Sequence, residues 1–174
     1  LTLFALMTLA AYAQAGSLQV TVTSADGKPA TNTVVMWQPN AKADAPPMPD
    51  TAVVTQKDLR FSPLVTAVPV GASVKFVNLD NYDHHVRSMP SGLFSSTPPA
   101  KQFDLRLSAT KKGNDVSAEI KMDLPGTVTL GCHLHGSMRG HLFVSTTPWV
   151  TVTDDKGVAR FAHAPDGAGE LRLW

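Results

Sequence analysis

Short segments in which apolar and polar residues alternate recur along the chain, and helical periodicity is almost absent. Residues 18–22 (Leu-Gln-Val-Thr-Val), 74–77 (Val-Lys-Phe-Val), 103–107 (Phe-Asp-Leu-Arg-Leu), 116–122 (Val-Ser-Ala-Glu-Ile-Lys-Met) and 170–174 (Glu-Leu-Arg-Leu-Trp) carry the pattern. A period of two sends successive side chains to opposite faces, so each segment predicts a strand with one buried face. Turn-forming clusters at residues 25–29, 69–71, 112–114, 125–126 and 154–157 separate these strands. That punctuation predicts an all-β sandwich. Residues 39–50 hold four prolines, which remove ladder donors and fix φ, so this stretch reads as a linker or exposed loop.

A chain of 174 residues, 43% of them hydrophobic, can bury one substantial core or two small ones sharing a seam. A formal net charge of +1 leaves no basic footprint for nucleic acid. Residues 1–15 carry no charge and close on Ala13, Gln14 and Ala15, a small-x-small cleavage signature. They read as a signal peptide, lacking its basic start and cleaved after about Ala15. Its apolar run is short for a membrane span. The mature chain is therefore expected to be periplasmic, with no membrane span.

An exported protein with a single cysteine, Cys132, has no internal disulfide, and a free thiol in an oxidising compartment is a liability unless something uses it. Its neighbours suggest the use. Residues 131–143 read Gly-Cys-His-Leu-His-Gly-Ser-Met-Arg-Gly-His-Leu-Phe and set a thiolate, an imidazole and a thioether at Cys132, His135 and Met138. A second imidazole is available upstream at His84 or His85. Only one of the two faces the site if the segment is extended. Two imidazoles, a thiolate and a weak thioether suit one copper ion in electron transfer. Four protein ligands leave no open coordination position of the kind a catalytic metal keeps, so the chain is not expected to be an enzyme.

By the same alternation His133 points away from this set, either as a polar residue behind the ligands or as a ligand to a second copper. His141 is expected at the surface and His163 apart from the copper. The Ser-, Pro- and Gly-containing stretch at residues 90–101 predicts a flap over the copper-proximal face, with Met48 and Met89 packed in the loops. Trp37, Trp149 and Trp174 are expected to share an aromatic core in the flanks.

Phe61-Ser-Pro, Val70-Gly71 and Val74-Lys-Phe-Val-Asn78, then His84 and the run from Pro125 through Cys132, His135 and Met138 to Gly140, resemble the cupredoxin pattern of plastocyanin and amicyanin. The Cys-x-x-His-x-x-Met loop with its following Arg-Gly is most similar to amicyanin. The resemblance implies a Greek-key sandwich over residues 56–147 and a type 1 copper held by His84, Cys132, His135 and Met138. His84 stands six residues beyond Asn78, where the family has its ligand. His85 stands where the family commonly has an Asn that braces the ligand loop, so His85, Asn78 and His133 are expected to support the ligands from behind.

Residues 16–37 and 148–174 resemble the two ends of a carboxypeptidase-regulatory-like sandwich. Segment 16–55 would then join its first part to the Pro-rich loop, and 148–174 would supply its last strands, with the cupredoxin inserted between. The whole is similar to bacterial exported proteins labelled methylamine utilisation proteins. What this implies is a one-electron carrier with a redox partner protein, or alternatively a copper-binding protein for tolerance or delivery with a copper donor or acceptor.

Overall fold

The computed structural model describes residues 16–45, 51–91, 96–110 and 116–174. The expected signal peptide, the turn at residues 112–114 and Met48 lie outside them. Two strands open the described chain, β1 (Gly16–Thr21) and β2 (Val34–Pro39). Nine follow: β3 (Thr51–Lys57), β4 (Arg60–Ser62), β5 (Val65–Pro69), β6 (Ser73–Asn78), β7 (His84–Met89), β8 (Asp104–Leu107), β9 (Val116–Lys121), β10 (Gly126–Cys132) and β11 (Arg139–Ser145). Three more close it, β12 (Val150–Val152), β13 (Val158–Ala164) and β14 (Gly169–Leu173). The described residues contain no helix, so the all-β class stands.

Nine of these strands make two sheets, ordered β5-β11-β10-β7-β8 and β4-β3-β6-β9. Most pairs are antiparallel, but β3 lies parallel to β6 and β5 parallel to β11. Their inner faces meet in one core, where Val54, Val74 and Phe76 of one sheet oppose Val86, Leu130 and Leu142 of the other. The alternation in β6 and β9 therefore reflects one wet face and one dry one. The domain boundary expected at residue 56 falls inside β3. That strand pairs with β6 from Thr51 onward, so the central sandwich begins where the proline loop ends.

The flanking strands pair with one another. β1 lies against β13, while β12 and β14 flank β2. Val35, Trp149, Ala159 and Phe161 fill the core between these two small sheets, with Leu18, Val20 and Trp37 packed against it. β2 is apolar on both faces. Val34 and Met36 turn the other way and meet Val65, Ala67 and Phe143 on the outer face of the five-stranded sheet, with Val150. Fully burying such a side chain contributes about 1.5–3 kcal/mol, so the seam is a firm dry contact. Trp174 corrects the expected shared aromatic core: it packs at this seam, its ring 5.3 Å from Phe143 and 6.2 Å from His141. His141 is accordingly half-buried rather than at the surface, and burial lowers its pKa.

The expected copper-side flap is also corrected. Ser91 pairs with Thr97, the Ser91 hydroxyl lies 2.7 Å from that of Thr127, and the Ala100 N–H donates to the Thr127 carbonyl at 2.9 Å. Thr127 and Cys132 stand at opposite ends of β10, about 16 Å apart at strand rise. The described ends of this loop thus sit at the far pole from the cysteine.

Candidate metal centre

The pole that carries the site is where β6, β8 and β10 end and β7 and β11 begin. Cys132 is the last residue of β10, and the loop from His133 to Met138 returns to Arg139, the first residue of β11. Two contacts hold that loop. The Met138 N–H donates to the His135 carbonyl at 3.0 Å, and the Arg139 guanidinium donates to the carbonyls of Gly136 and Met138 at 2.8 and 2.7 Å. Just before the cysteine, a Cβ on Gly131 would come within 2.8 Å of the Met89 sulfur. Met89 therefore packs on β10, and only glycine leaves it room.

His84 is the first residue of β7 and is fully buried, while His85 turns outward, as the strand alternation requires. The Nδ1 atoms of His84 and His135 stand 3.7 and 3.5 Å from Cys132 Sγ. The three donor atoms lie within 4.8 Å of one another. Bonds of about 2.0 Å to nitrogen and about 2.3 Å to sulfur, spread trigonally, would set nitrogen and sulfur roughly 3.7 Å apart. The donor set and its spacing fit one borderline-soft ion such as copper. Met138 is 1% exposed and shares the core cluster with Cys132.

One residue of the site was not singled out from sequence: Asp80, 7% exposed. Its Oδ2 lies 2.8 Å from His84 Nε2, and its Oδ1 accepts the Asp58 N–H at 2.9 Å. Burial opposes its ionisation, but the Asp58 N–H outweighs that together with hydrogen bonds from His84 and Tyr82, and holds the carboxyl below its ordinary value. A carboxylate at Nε2 takes that ring proton and leaves the Nδ1 lone pair toward the sulfur. Tyr82 completes the packing, its ring 5.3 Å from His84 and 5.4 Å from His135.

Asn78 builds the turn that makes this possible. Its side-chain amide donates to the carbonyls of Tyr82 and Ser108 at 2.9 and 2.8 Å, and its Oδ1 accepts the Asp80 N–H at 2.8 Å. His85 touches the site through its backbone, donating its N–H to Cys132 Sγ at 3.4 Å. Its ring bonds Asp104 instead. The His133 N–H donates to the His85 carbonyl at 2.9 Å, and the His133 side chain is exposed. His163 is exposed on β13, apart from the cluster.

A buried thiol with two imidazoles, set at one pole between facing sheets of five and four strands, decides the architecture. The fold is cupredoxin-like. No family model matches the chain, and no curated protein does. Among solved structures, a reduced amicyanin variant is 21% identical over 55% of this chain and 82% of its own, at a TM-score of 0.40. An oxidised amicyanin variant is 23% identical over 55% and 82%, at 0.41. The Cu-containing nitrite reductase of Thermus scotoductus is 25% identical over 62% of this chain and 25% of its own, at 0.45. The cupredoxin-like sandwich accounts for residues 51–145, and the flanking strands lie outside it.

Proposed function

We propose that the chain is an exported, periplasmic type 1 copper protein that carries single electrons to or from a redox partner protein and performs no catalysis of its own. The observation that carries this reading is the pair of Nδ1 atoms at 3.7 and 3.5 Å from a buried Sγ. Copper, when bound, supplies a one-electron centre. The protein's part is to hold two imidazoles and a thiolate in a compromise geometry, which lowers the rearrangement on electron transfer. His84 at 0% and Cys132 at 4% exposure favour retention of the ion over hand-off, because an acceptor protein would have to reach ligands that solvent does not. His135 is the partly exposed ligand and the edge through which an electron enters or leaves. Among the described residues no helix is long and apolar enough to cross a membrane.

Titration of the mature protein with Cu(II), followed by visible and EPR spectra and reductive voltammetry, tests the proposal. One equivalent with an intense thiolate-to-copper band and reversible reduction is expected, and a colourless complex would overturn it. In the same measurement Met138→Leu should keep the copper and raise the potential, because loss of the axial thioether disfavours Cu(II).

Asp80→Asn should keep the colour, weaken Cu(II) binding by about 10-fold to 100-fold and raise the potential, since the variant removes the negative charge behind His84. An unchanged affinity and potential would show that the carboxylate does not act through the ring.

A further inference from the structure

We infer that His85, His133 and Asp104 form a second cation site on the outer face of the five-stranded sheet, taking a borderline divalent ion such as Zn(II) or Cu(II). The three residues come from neighbouring strands in the order β8-β7-β10. Val86 of β7 and Leu107 of β8 point into the core, so His85 and Asp104 point outward. His133 follows β10 directly opposite His85, as its N–H bond to the His85 carbonyl shows. The His85 ring already bonds the Asp104 carboxylate through Nε2. The His133 ring stands edge-on to it, with centroids 5.6 Å apart.

Two imidazoles and a carboxylate are donors that suit zinc and copper. Rings whose nitrogens each lie about 2.0 Å from one ion need only side-chain rotation from this arrangement. Arg106, the direct partner of His85 on β8, is engaged by Asp83 at 2.9 Å. Arg87, opposite Asp104 in the register, is the cation the site has to tolerate. His133 and Asp104 are exposed, so the site is open to solvent.

The same backbone links this site to the primary one. The His85 peptide donates to Cys132 Sγ at 3.4 Å and accepts the His133 N–H at 2.9 Å. A dication held by the two rings therefore lies one residue from the thiolate on either strand. Its positive charge favours Cu(I) over Cu(II) and raises the reduction potential.

The test is calorimetric titration of the copper-loaded protein with Zn(II), with the visible band and the potential followed in parallel. One zinc should bind without loss of the copper band, and the potential should rise. His133→Ala and His85→Asn should each weaken zinc binding by more than about tenfold, the lower bound seen when even an outer partner of a metal is lost. Asp104→Asn should weaken it less. His163→Asn, a change at an exposed histidine with a φ of 59° that Asn tolerates, should leave it unchanged. No zinc bound, zinc binding that survives both histidine variants, or zinc that bleaches the copper band would overturn the inference. The band and potential rest on the proposed copper role; if copper binds without colour that role fails, and zinc binding in the two histidine variants still decides the second site.

Discussion

Cys132→Ser should yield a folded protein that gives no thiolate charge-transfer band with Cu(II). The colour belongs to the sulfur and to no other donor in the set, and a serine hydroxyl is a poor ligand for copper. The change is small in volume, and Cys132 is buried among Val86, Leu130 and Met138. The cost of the substitution is that of burying one hydroxyl, on the order of 1–3 kcal/mol if its hydrogen bond is not remade. Serine can also take the place of the sulfur as acceptor for the His85 N–H. Far-UV circular dichroism should therefore match the wild type while the visible spectrum is empty. A visible band that survives the substitution would assign the colour to another centre and remove Cys132 from the ligand set.

The sequence made the half-buried strands readable and hid the fully buried ones. β1, β6, β8, β9 and β14 alternate because one face is wet or packed lightly. β2 reads Val-Val-Met-Trp without alternation because it lies between the flanking core and the seam, and both faces want apolar side chains. β3 was lost for a different reason, since its start at Thr51 follows a proline loop and its partner, β6, is parallel and distant in sequence. The loop at residues 90–101 is recognisable as a long connection, but which pole it occupies depends on the direction of β7 and β10 rather than on its own residues.

The candidate ligands Cys132, His135 and Met138 were legible because they share one short loop with diagnostic spacing. Asp80 was not, because an aspartate in a polar turn is ordinary until the turn is folded. Asn78 does that folding, with its amide spread over the carbonyls of Tyr82 and Ser108 and its Oδ1 on the Asp80 N–H. The result is a carboxylate delivered to the hidden side of His84, four residues on. His85 was expected to brace the cysteine loop through its ring. It reaches the sulfur through its N–H, which any residue at that position would supply, and its ring is released to the outer face.

That division of labour makes the two adjacent histidines separable by experiment. His84→Ala should abolish the colour, because it removes a ligand and leaves the buried Asp80 carboxylate without its ring partner. The uncompensated carboxylate should also cost stability, by about 1–3 kcal/mol or more for a charged group left short of a hydrogen bond. His85→Asn should leave the band nearly intact with a modest shift in potential, because the backbone donor to Cys132 Sγ remains. Its stability cost should be small, since the ion pair lost with Asp104 is exposed at the carboxylate end, and exposed pairs contribute about 0–1 kcal/mol. Spectra and thermal unfolding of the two variants separate the roles. Colour kept with His84→Ala and lost with His85→Asn would move the ligand to His85 and require β7 to present its opposite face to the core, which the fully buried Val86 forbids in this fold.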